Sequence, residues 1–142
     1  MPAITRDMME IARVTTQYRS EKLAPMGLKS CHSSYLLAIS NHPGISQDQL
    51  AQMICINKSN VARQVVVLED TGFITRSPSP NDKRVMQLYP TEKTMEVLPQ
   101  IRQVNRFWQE YLTEDLTQQE LEILETLLRR IQARAAAWTE EK

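Results

Sequence analysis

The stretch NKSNVARQVVVLEDTG, residues 57–72, joins a polar first half to an apolar second half at the spacing of a single helix. Val61, Val65 and Leu68 recur on one face of such a helix, so we expect this face to be buried. Asn57 is a good N-cap, and the closing glycine can end the helix in a left-handed conformation. The stretch therefore predicts an amphipathic helix whose first turns carry an exposed polar face.

Side chains suited to hydrogen bonding rather than packing occupy the start of this helix: Lys58, Ser59, Asn60, Arg63 and Gln64. Arginine can bind guanine through two acceptors, asparagine can do the same with adenine, and serine can bind a base or a phosphate. The helix N-terminus and Lys58 would attract phosphate. A solvated helix start also needs polar residues, so this face alone leaves both a DNA-reading helix and an ordinary surface helix open.

The elements around this helix follow the order of a winged helix-turn-helix. Four helices come first, then two short strands joined by the turn-forming PSPNDK, and then two long helices. Ser30, Ser46 and Thr91 are predicted to cap the second, third and fifth helices, and Thr117 with Glu120 predicts a capping box for the last. The fold class predicted from this order is mainly α with a small β-hairpin wing.

The predicted hairpin adds positive charge directly after the polar helix. Arg76, Lys83 and Arg84 lie in it, together with Asp82. Arginine at a hairpin tip can enter the minor groove, because the negative potential of the groove attracts it. A charged tip is usually only a solvated loop, but its place directly after such a helix favours a DNA-binding wing.

Composition and motifs exclude several classes of protein. The length of 142 residues favours a single domain, and the presence of only three glycines favours a mostly helical one. The net charge is zero. Residues 57–93 nevertheless contain six Lys or Arg against four Asp or Glu, so one basic face is compatible with the neutral total. No apolar run could span a bilayer and no export signal is visible, so we expect a cytoplasmic protein without a membrane partner.

Patterns typical of catalysis and of metal binding do not occur in the sequence. Because it has no nucleophile with a paired base and no phosphate-binding glycine loop, we expect neither an enzyme nor a cofactor. The two cysteines and two histidines do not have the spacing of a zinc site, so no metal is expected. Cys55, between two isoleucines, is expected to be buried.

Residues 43–93, from PGIS to PTEK, resemble the DNA-binding lobe of the MarR family of bacterial transcription regulators. The matching features are the polar pair and arginine of the helix, the Leu-Glu and Gly before the wing, and Asp82-x-Arg84 followed by a strand and Thr-x-Lys. The flanking helices match the layout of the family as well. The resemblance therefore covers essentially the whole chain.

The resemblance implies a role for each part of the chain. Residues 1–142 would form one MarR-like domain, with about residues 30–90 as the DNA-binding lobe and about residues 1–28 and 91–142 as dimerisation helices. Two chains would place their recognition helices about one DNA turn apart, over an inverted repeat in double-stranded DNA. The wide apolar stripe of the last helix would lie in this homodimer; packing on the first helix of the same chain is the alternative. The implied function is sequence-specific transcriptional repression.

The resemblance also assigns individual contacts. Ser59, Asn60 and Arg63 would read the major groove, Arg84 would enter the minor groove, and Asp82 would orient that arginine. The family often has polar or basic residues where this chain has two outward-facing valines, at positions 66 and 67. These valines would contact thymine methyl groups or pack on a neighbouring helix.

Release from DNA by a small aromatic or anionic molecule is another family property. Tyr18, His32 and Tyr35 are the candidates to line an effector pocket, and ordinary core residues are the alternative interpretation. Some relatives sense peroxide through a cysteine, and Cys31 beside Lys29 is the candidate for that role.

A different class of function is also open: a winged-helix adaptor that binds protein and not DNA, using the outward valines. It predicts indifference to the loss of Arg63 and Arg84, and sensitivity to Val66→Asp.

Overall fold

The computed structural model describes residues 2–140. Within that range, the α-helices are α1 (Ala3–Leu23), α2 (His32–Asn41), α3 (Gln47–Ile54), α4 (Lys58–Asp70), α5 (Glu92–Leu112) and α6 (Gln118–Glu140), a short 3-10 helix (Ala24–Met26) follows α1, and the strands are β1 (Ile45–Ser46), β2 (Ile74–Pro78) and β3 (Met86–Pro90). The predicted order and the mainly α fold class with a small wing are confirmed, with one additional strand. Two compact units divide the chain within α5, one up to Asn105 and one from Arg106 onward. In the described range, the helices lack the length and apolar character needed to cross a membrane.

The first unit has an apolar core to which α2, α3, α4, α5 and the sheet contribute. Val61, Val65 and Leu68 of α4 are fully buried, which confirms the predicted apolar face. The same cluster includes Leu23, Tyr35, Leu36, Ile39, Leu50, Phe73, Leu88 and Ile101. Burying one large apolar side chain stabilises a fold by about 1.5–3 kcal/mol, so these three positions decide which side of α4 faces outward.

The turn between α3 and α4 sets where the polar helix begins. Ser46 caps α3 through reciprocal hydrogen bonds with Gln49, and the side chain of Asn57 accepts a hydrogen bond from a backbone N–H in the first turn of α4, so both predicted caps are confirmed. The expectation that Cys55 is buried is wrong, because this residue ends α3 in a left-handed conformation, with φ of 59°, and is exposed.

The predicted cap of α2 is also wrong. Cys31, not Ser30, occupies the N-cap position, and its side chain makes no capping hydrogen bond. The imidazole of His32 lies at this turn instead, and its Nδ1 accepts a hydrogen bond from the backbone N–H of Lys29 at 3.0 Å. The ring therefore holds the turn before α2, and the first turn of the helix has no side-chain cap.

The wing is a three-stranded antiparallel sheet in the order β1-β3-β2, where the sequence predicted only a hairpin. Arg76 of β2 pairs with Leu88 of β3, and on the other side Ile45 of β1 pairs with the same Leu88. A strand of two residues has no detectable alternation, so no sequence pattern could indicate β1. This strand joins the wing directly to the start of α3.

The beginning of α5 holds the end of α4 through three consecutive carbonyl groups. The Thr91 hydroxyl donates to the carbonyl of Gly72 at 2.6 Å, and Lys93 Nζ donates to that of Thr71 at 2.7 Å. The buried hydroxyl of Thr94 donates to the carbonyl of Phe73. The Thr-x-Lys that follows the wing therefore fastens the end of α4 to α5, and α5 begins directly after Thr91, as predicted.

The second unit contains the last turns of α5 and the whole of α6. The predicted capping box is confirmed: Thr117 Oγ1 accepts from the Glu120 N–H at 3.2 Å, and Glu120 Oε1 accepts from the Thr117 N–H at 3.0 Å. These hydrogen bonds hold the pKa of the Glu120 carboxyl below its ordinary value. Large apolar side chains of α6 are nevertheless exposed: Ile123, Leu127, Leu128, Ile131 and Trp138. Exposed apolar rows of this kind are typical of surfaces for protein contact.

Candidate nucleic-acid interface

The first turn of α4 presents polar groups to solvent. Asn57 Oδ1 accepts from the Asn60 N–H at 2.8 Å and from the Ser59 hydroxyl at 2.9 Å, so the cap also fixes the direction of that hydroxyl. No acidic side chain lies in this turn. The positive end of the helix dipole is therefore unopposed by a carboxylate within α4, which suits an approaching phosphate.

The predicted base-reading residues lie together on this exposed face. Ser59 and Arg63 are exposed, and Asn60 is half-buried between them. A guanidinium nitrogen of Arg63 donates to Asn60 Oδ1 at 3.3 Å, which extends the arginine along the helix. Lys58 lies beside them, with Nζ 3.6 Å from Asp48 Oδ2. Both side chains of that ion pair are largely exposed, so the contact is weak and leaves the ammonium accessible to a phosphate.

Gln64 differs from the other polar residues of α4. It is half-buried, and its Oε1 lies 2.8 Å from Nε2 of His32. One end of its amide is therefore bound within the lobe and unavailable to a ligand. The contact joins residues that are 32 positions apart, so no local sequence pattern could indicate it.

The wing tip has the geometry predicted for it. Asp82 Oδ1 accepts from the backbone N–H of Arg84 at 3.0 Å and from its Nε at 3.1 Å, and Oδ2 accepts from a terminal guanidinium nitrogen at 3.2 Å. The guanidinium holds the pKa of the Asp82 carboxyl below its ordinary value, and the backbone hydrogen bond adds to this effect. The Arg84 side chain is 89% exposed, so the aspartate directs this cation without covering it. Lys83 beside it is exposed as well.

Arg76 lies in a different setting from the one expected. Its Nε and one terminal nitrogen donate to Glu69 Oε1 at 3.2 and 3.0 Å, and the other terminal nitrogen lies 3.5 Å from Gln47 Oε1. With 27% of its side chain exposed, this arginine connects β2 to α4 and to the start of α3. The structure thus gives Arg76 a structural role, and a contact with DNA stays only a prediction.

Tyr18 and His32, two of the three candidate effector residues, are hydrogen-bonded within the protein, whereas the buried Tyr35 hydroxyl has no hydrogen-bond partner among the described residues. The Tyr18 hydroxyl donates to the carbonyl of Val104 at 3.2 Å. His32 is 2% exposed and Tyr35 is fully buried, with their rings in edge contact at a centroid distance of 6.3 Å. Burial raises the pKa of the Tyr35 hydroxyl to about 12. These placements favour core residues, and an effector role for them stays a prediction.

Cys31 lacks the setting of a reactive thiol. It is half-buried, and burial raises the pKa of its thiol, although its own backbone and the Lys29 charge act in the opposite direction. A redox sensor needs a thiol pKa that is lowered by cationic neighbours. The structure therefore does not support the redox role predicted for Cys31. Within the described residues, no group of three or more metal-ligating side chains is assembled.

The imidazole of His32 leads to a prediction about stability and pH. Burial lowers its pKa from the ordinary 6.5, and the Lys29 charge lowers it further, while the Gln64 hydrogen bond opposes them. At pH values between the lowered pKa of the folded chain and the ordinary 6.5, the unfolded chain binds a proton at His32 that the folded chain does not. The free energy of unfolding should therefore fall by up to about 1.4 kcal/mol for each pH unit by which the pH is lowered through this range. Urea unfolding between about pH 7.5 and about pH 5.5 checks this. His32→Asn should show a shallower decline, and equal slopes would contradict the assignment.

Comparisons with known proteins agree with this geometry. The model of the MarR family matches residues 32–86, which contain α2, β1, α3, α4, β2 and the tip of the wing. The chain is 32% identical over 131 residues to the HTH-type transcriptional regulator YybA of Bacillus subtilis strain 168, covering 92% of this chain and 87% of that protein.

Solved structures extend the similarity to the full length. The structure of the transcriptional regulator SlyA has a TM-score of 0.94 at 27% identity, and the match covers 99% of this chain and all of that one. A MarR family regulator from Listeria monocytogenes, crystallised with a 26mer DNA, has a TM-score of 0.90 at 26% identity, covering 96% of this chain and 91% of its own.

Proposed function

Because the chain belongs to the MarR family of DNA-binding, non-enzymatic winged helix-turn-helix transcription regulators, we propose that it is a homodimeric repressor of an inverted-repeat operator. One observation carries the proposal: the exposed polar face of α4 and the aspartate-held Arg84 of the wing belong to one lobe, and neither is covered by it. A lobe that reads a duplex needs a helix that enters the major groove and a cation that reaches the adjacent minor groove.

In this proposal the face of α4 enters the major groove. Arg63 and Asn60 recognise base edges, Ser59 contacts a base or a phosphate, and Lys58 binds the backbone. Arg84 and Lys83 follow the duplex into the adjacent minor groove. Phosphate contacts set position and affinity, while the base contacts of α4 set specificity.

The homodimer is proposed from the apolar side chains that each unit leaves exposed. In the first unit these include Ile4, Met9 and Ile11 of α1, and in the second they form the row along α6. We assign about residues 1–28 and 91–142 to dimerisation and about residues 30–90 to DNA binding within one MarR-like domain. A two-fold dimer would present two equivalent recognition helices, which is why the operator should be an inverted repeat.

The adaptor hypothesis rests on one observation, the 41% exposure of Val66 on α4. In the DNA-binding proposal the same side chain contacts a thymine methyl group or lies beside the groove. Val66→Asp would weaken binding under both hypotheses, so Arg63→Ala separates them: an adaptor would keep its protein partner, whereas a DNA reader would lose affinity for its operator.

The direct test of the proposal is a mobility shift with the DNA that flanks the protein's own coding region. We expect a retarded complex at low salt that weakens steeply as salt increases, because counterion release dominates such binding. A complex that resists an excess of unrelated DNA would establish specificity. Absence of any complex with the wild-type protein at low salt would overturn the proposal.

Arg84→Ala should lower the affinity for all DNA sequences to a similar degree. The variant loses one exposed cation of the wing, so the slope of log K against log salt should flatten by about one unit. Titrations of operator and unrelated duplexes at several salt concentrations measure both effects. Arg13→Ala on α1 removes the same charge elsewhere and serves as the control. Full affinity in Arg84→Ala would remove the wing contact from the proposal.

Release by a small aromatic or anionic molecule is a further part of the proposal. Tyr18 on α1 is its best-placed candidate, since it is only half-buried, whereas His32 and Tyr35 are enclosed. A coupling of about 1–3 kcal/mol between effector and DNA binding would suffice for regulation. We also propose a cytoplasmic location, since the operator lies there.

A further inference from the structure

A chain of two hydrogen bonds leads from the backbone before α2 to the recognition helix. The N–H of Lys29 donates to Nδ1 of His32 at 3.0 Å. Nε2 of the same ring lies 2.8 Å from Oε1 of Gln64. Both bonds end on a ring that is 2% exposed and that meets Tyr35 edge-on, so water does not compete for them and the ring has little freedom to turn.

The Lys29 N–H fixes the direction of both hydrogen bonds. A backbone N–H can only donate, so Nδ1 of His32 must be the unprotonated, accepting nitrogen. In a neutral imidazole the other nitrogen then carries the hydrogen, so Nε2 donates. The Gln64 atom that receives it must be the amide oxygen. The orientation of the Gln64 amide therefore follows from the Lys29 backbone and does not depend on a choice between its oxygen and its nitrogen.

The consequence concerns what Gln64 offers to DNA. Because Oε1 is bound to His32 and Gln64 is only half-buried, the end of the amide left for a ligand is the NH₂ group, which can only donate. An unrestrained glutamine recognises adenine by donating to N7 and accepting from N6. The bound oxygen removes the accepting half of that pair. A donor alone suits guanine O6 or N7, thymine O4 and adenine N7, and it is repelled by the N4 amino group of cytosine.

Resting on the proposed function, we propose that His32 is a positioning residue that makes Gln64 a donor-only reader in the major groove. His32 does not touch DNA itself. It determines which half of one recognition-helix amide faces the bases, and so contributes to specificity from inside the lobe. At the base that Gln64 contacts, the protein prefers guanine, thymine or adenine to cytosine, and it lacks the second contact with adenine that an unrestrained glutamine makes.

Two substitutions of His32 each retain one of its two hydrogen bonds and remove the other. The amide nitrogen of a glutamine can occupy the place of Nε2, so His32→Gln retains a donor to Gln64 and loses the acceptor for Lys29. The amide oxygen of an asparagine can occupy the place of Nδ1, so His32→Asn retains the acceptor and loses the donor. Both variants remove the ring, so a purely structural role predicts the same loss in both.

The experiment measures binding to operator duplexes that carry each of the four bases at each position. Gln64→Ala identifies the position that Gln64 reads, where the preference should flatten by about fivefold to tenfold. His32→Gln should keep the wild-type preference there, while His32→Asn should gain affinity for adenine. Gln64→Glu, which can accept from His32 but cannot donate to a base, should shift the preference toward cytosine.

Several outcomes would overturn the inference and leave DNA binding intact. They are an unchanged base preference in Gln64→Ala or Gln64→Glu, or equal changes in the two His32 variants while thermal unfolding shows both folded. If the wild type selects no DNA sequence at all, the proposed function fails and this inference fails with it. The tautomer provides a check without DNA: nitrogen NMR of the imidazoles, with His42→Gln for assignment, should show His32 protonated at Nε2 only. Protonation at Nδ1 would contradict the inference.

Discussion

Replacing Leu127 and Ile131 by aspartate should convert the protein to monomers and remove most of its affinity for an inverted-repeat operator. These side chains lie one turn apart on α6 and are 45% and 42% exposed, although both are large and apolar. In a dimer the second recognition helix binds at a high effective concentration once the first is bound, so its loss should weaken operator binding by about 10²- to 10⁴-fold. Analytical ultracentrifugation and titration of the operator measure the two effects.

The matched control is Gln118→Asp with Gln119→Asp. It adds the same two negative charges to exposed polar positions in the first turn of α6. We expect this control to remain a dimer with nearly wild-type affinity, because it leaves the apolar row intact. A Leu127 and Ile131 variant that still sediments as a dimer would show that the row along α6 is not the interface. Helical content from circular dichroism separates dissociation from unfolding.

Arg63→Ala should produce the largest loss of specificity from a single substitution. The guanidinium is exposed on the recognition face, and its one hydrogen bond given by the structure holds it against Asn60. Losing a bidentate contact with guanine should cost about 1–3 kcal/mol, which lowers operator affinity by about 5- to 150-fold. Binding to unrelated DNA should fall much less, so the ratio of the two affinities is the quantity to measure.

Lys58→Ala is the informative comparison for Arg63. Lys58 is a phosphate-binding cation in this account, so its loss should weaken operator and unrelated DNA by similar factors. Arg6→Ala, which removes an arginine whose partner is the neighbouring Asp7, controls for net charge. If Arg63→Ala and Lys58→Ala change the affinity ratio equally, Arg63 does not read a base.

Most of the fold could be predicted from local sequence patterns. The recurrence of Val61, Val65 and Leu68 correctly predicted the buried side of α4, because burial follows the helical period within a few residues. The caps at Ser46, Asn57 and Thr117 were predictable for the same reason, since donor and acceptor lie within three residues of each other.

Contacts between distant residues could not be predicted in this way. Examples are the Arg76–Glu69 ion pair, the carbonyl contacts made by the start of α5, and the His32–Gln64 hydrogen bond. Each depends on how elements pack, and one sequence contains no signal for that. The cap predicted at Ser30 is wrong because α2 begins at His32, so Cys31 takes the N-cap position.

The candidate site likewise has features that local sequence predicts and features that it does not. Exposure of Ser59 and Arg63 follows from the helical wheel, and the Asp82–Arg84 geometry spans only two residues, so both were within reach of the sequence. The positions of Gln64 and Arg76 were not, because their partners lie on other elements. A polar residue on a predicted binding face therefore requires the structure to show whether its polar atoms are available.

Selection of bound duplexes from a random pool, with the protein-to-DNA stoichiometry of the enriched sites, tests the central claim most directly. The account predicts an inverted repeat whose half-site centres lie about 10–10.5 base pairs apart, bound by two chains. Enrichment of a single asymmetric site bound by one chain, or no enrichment at all, would contradict it.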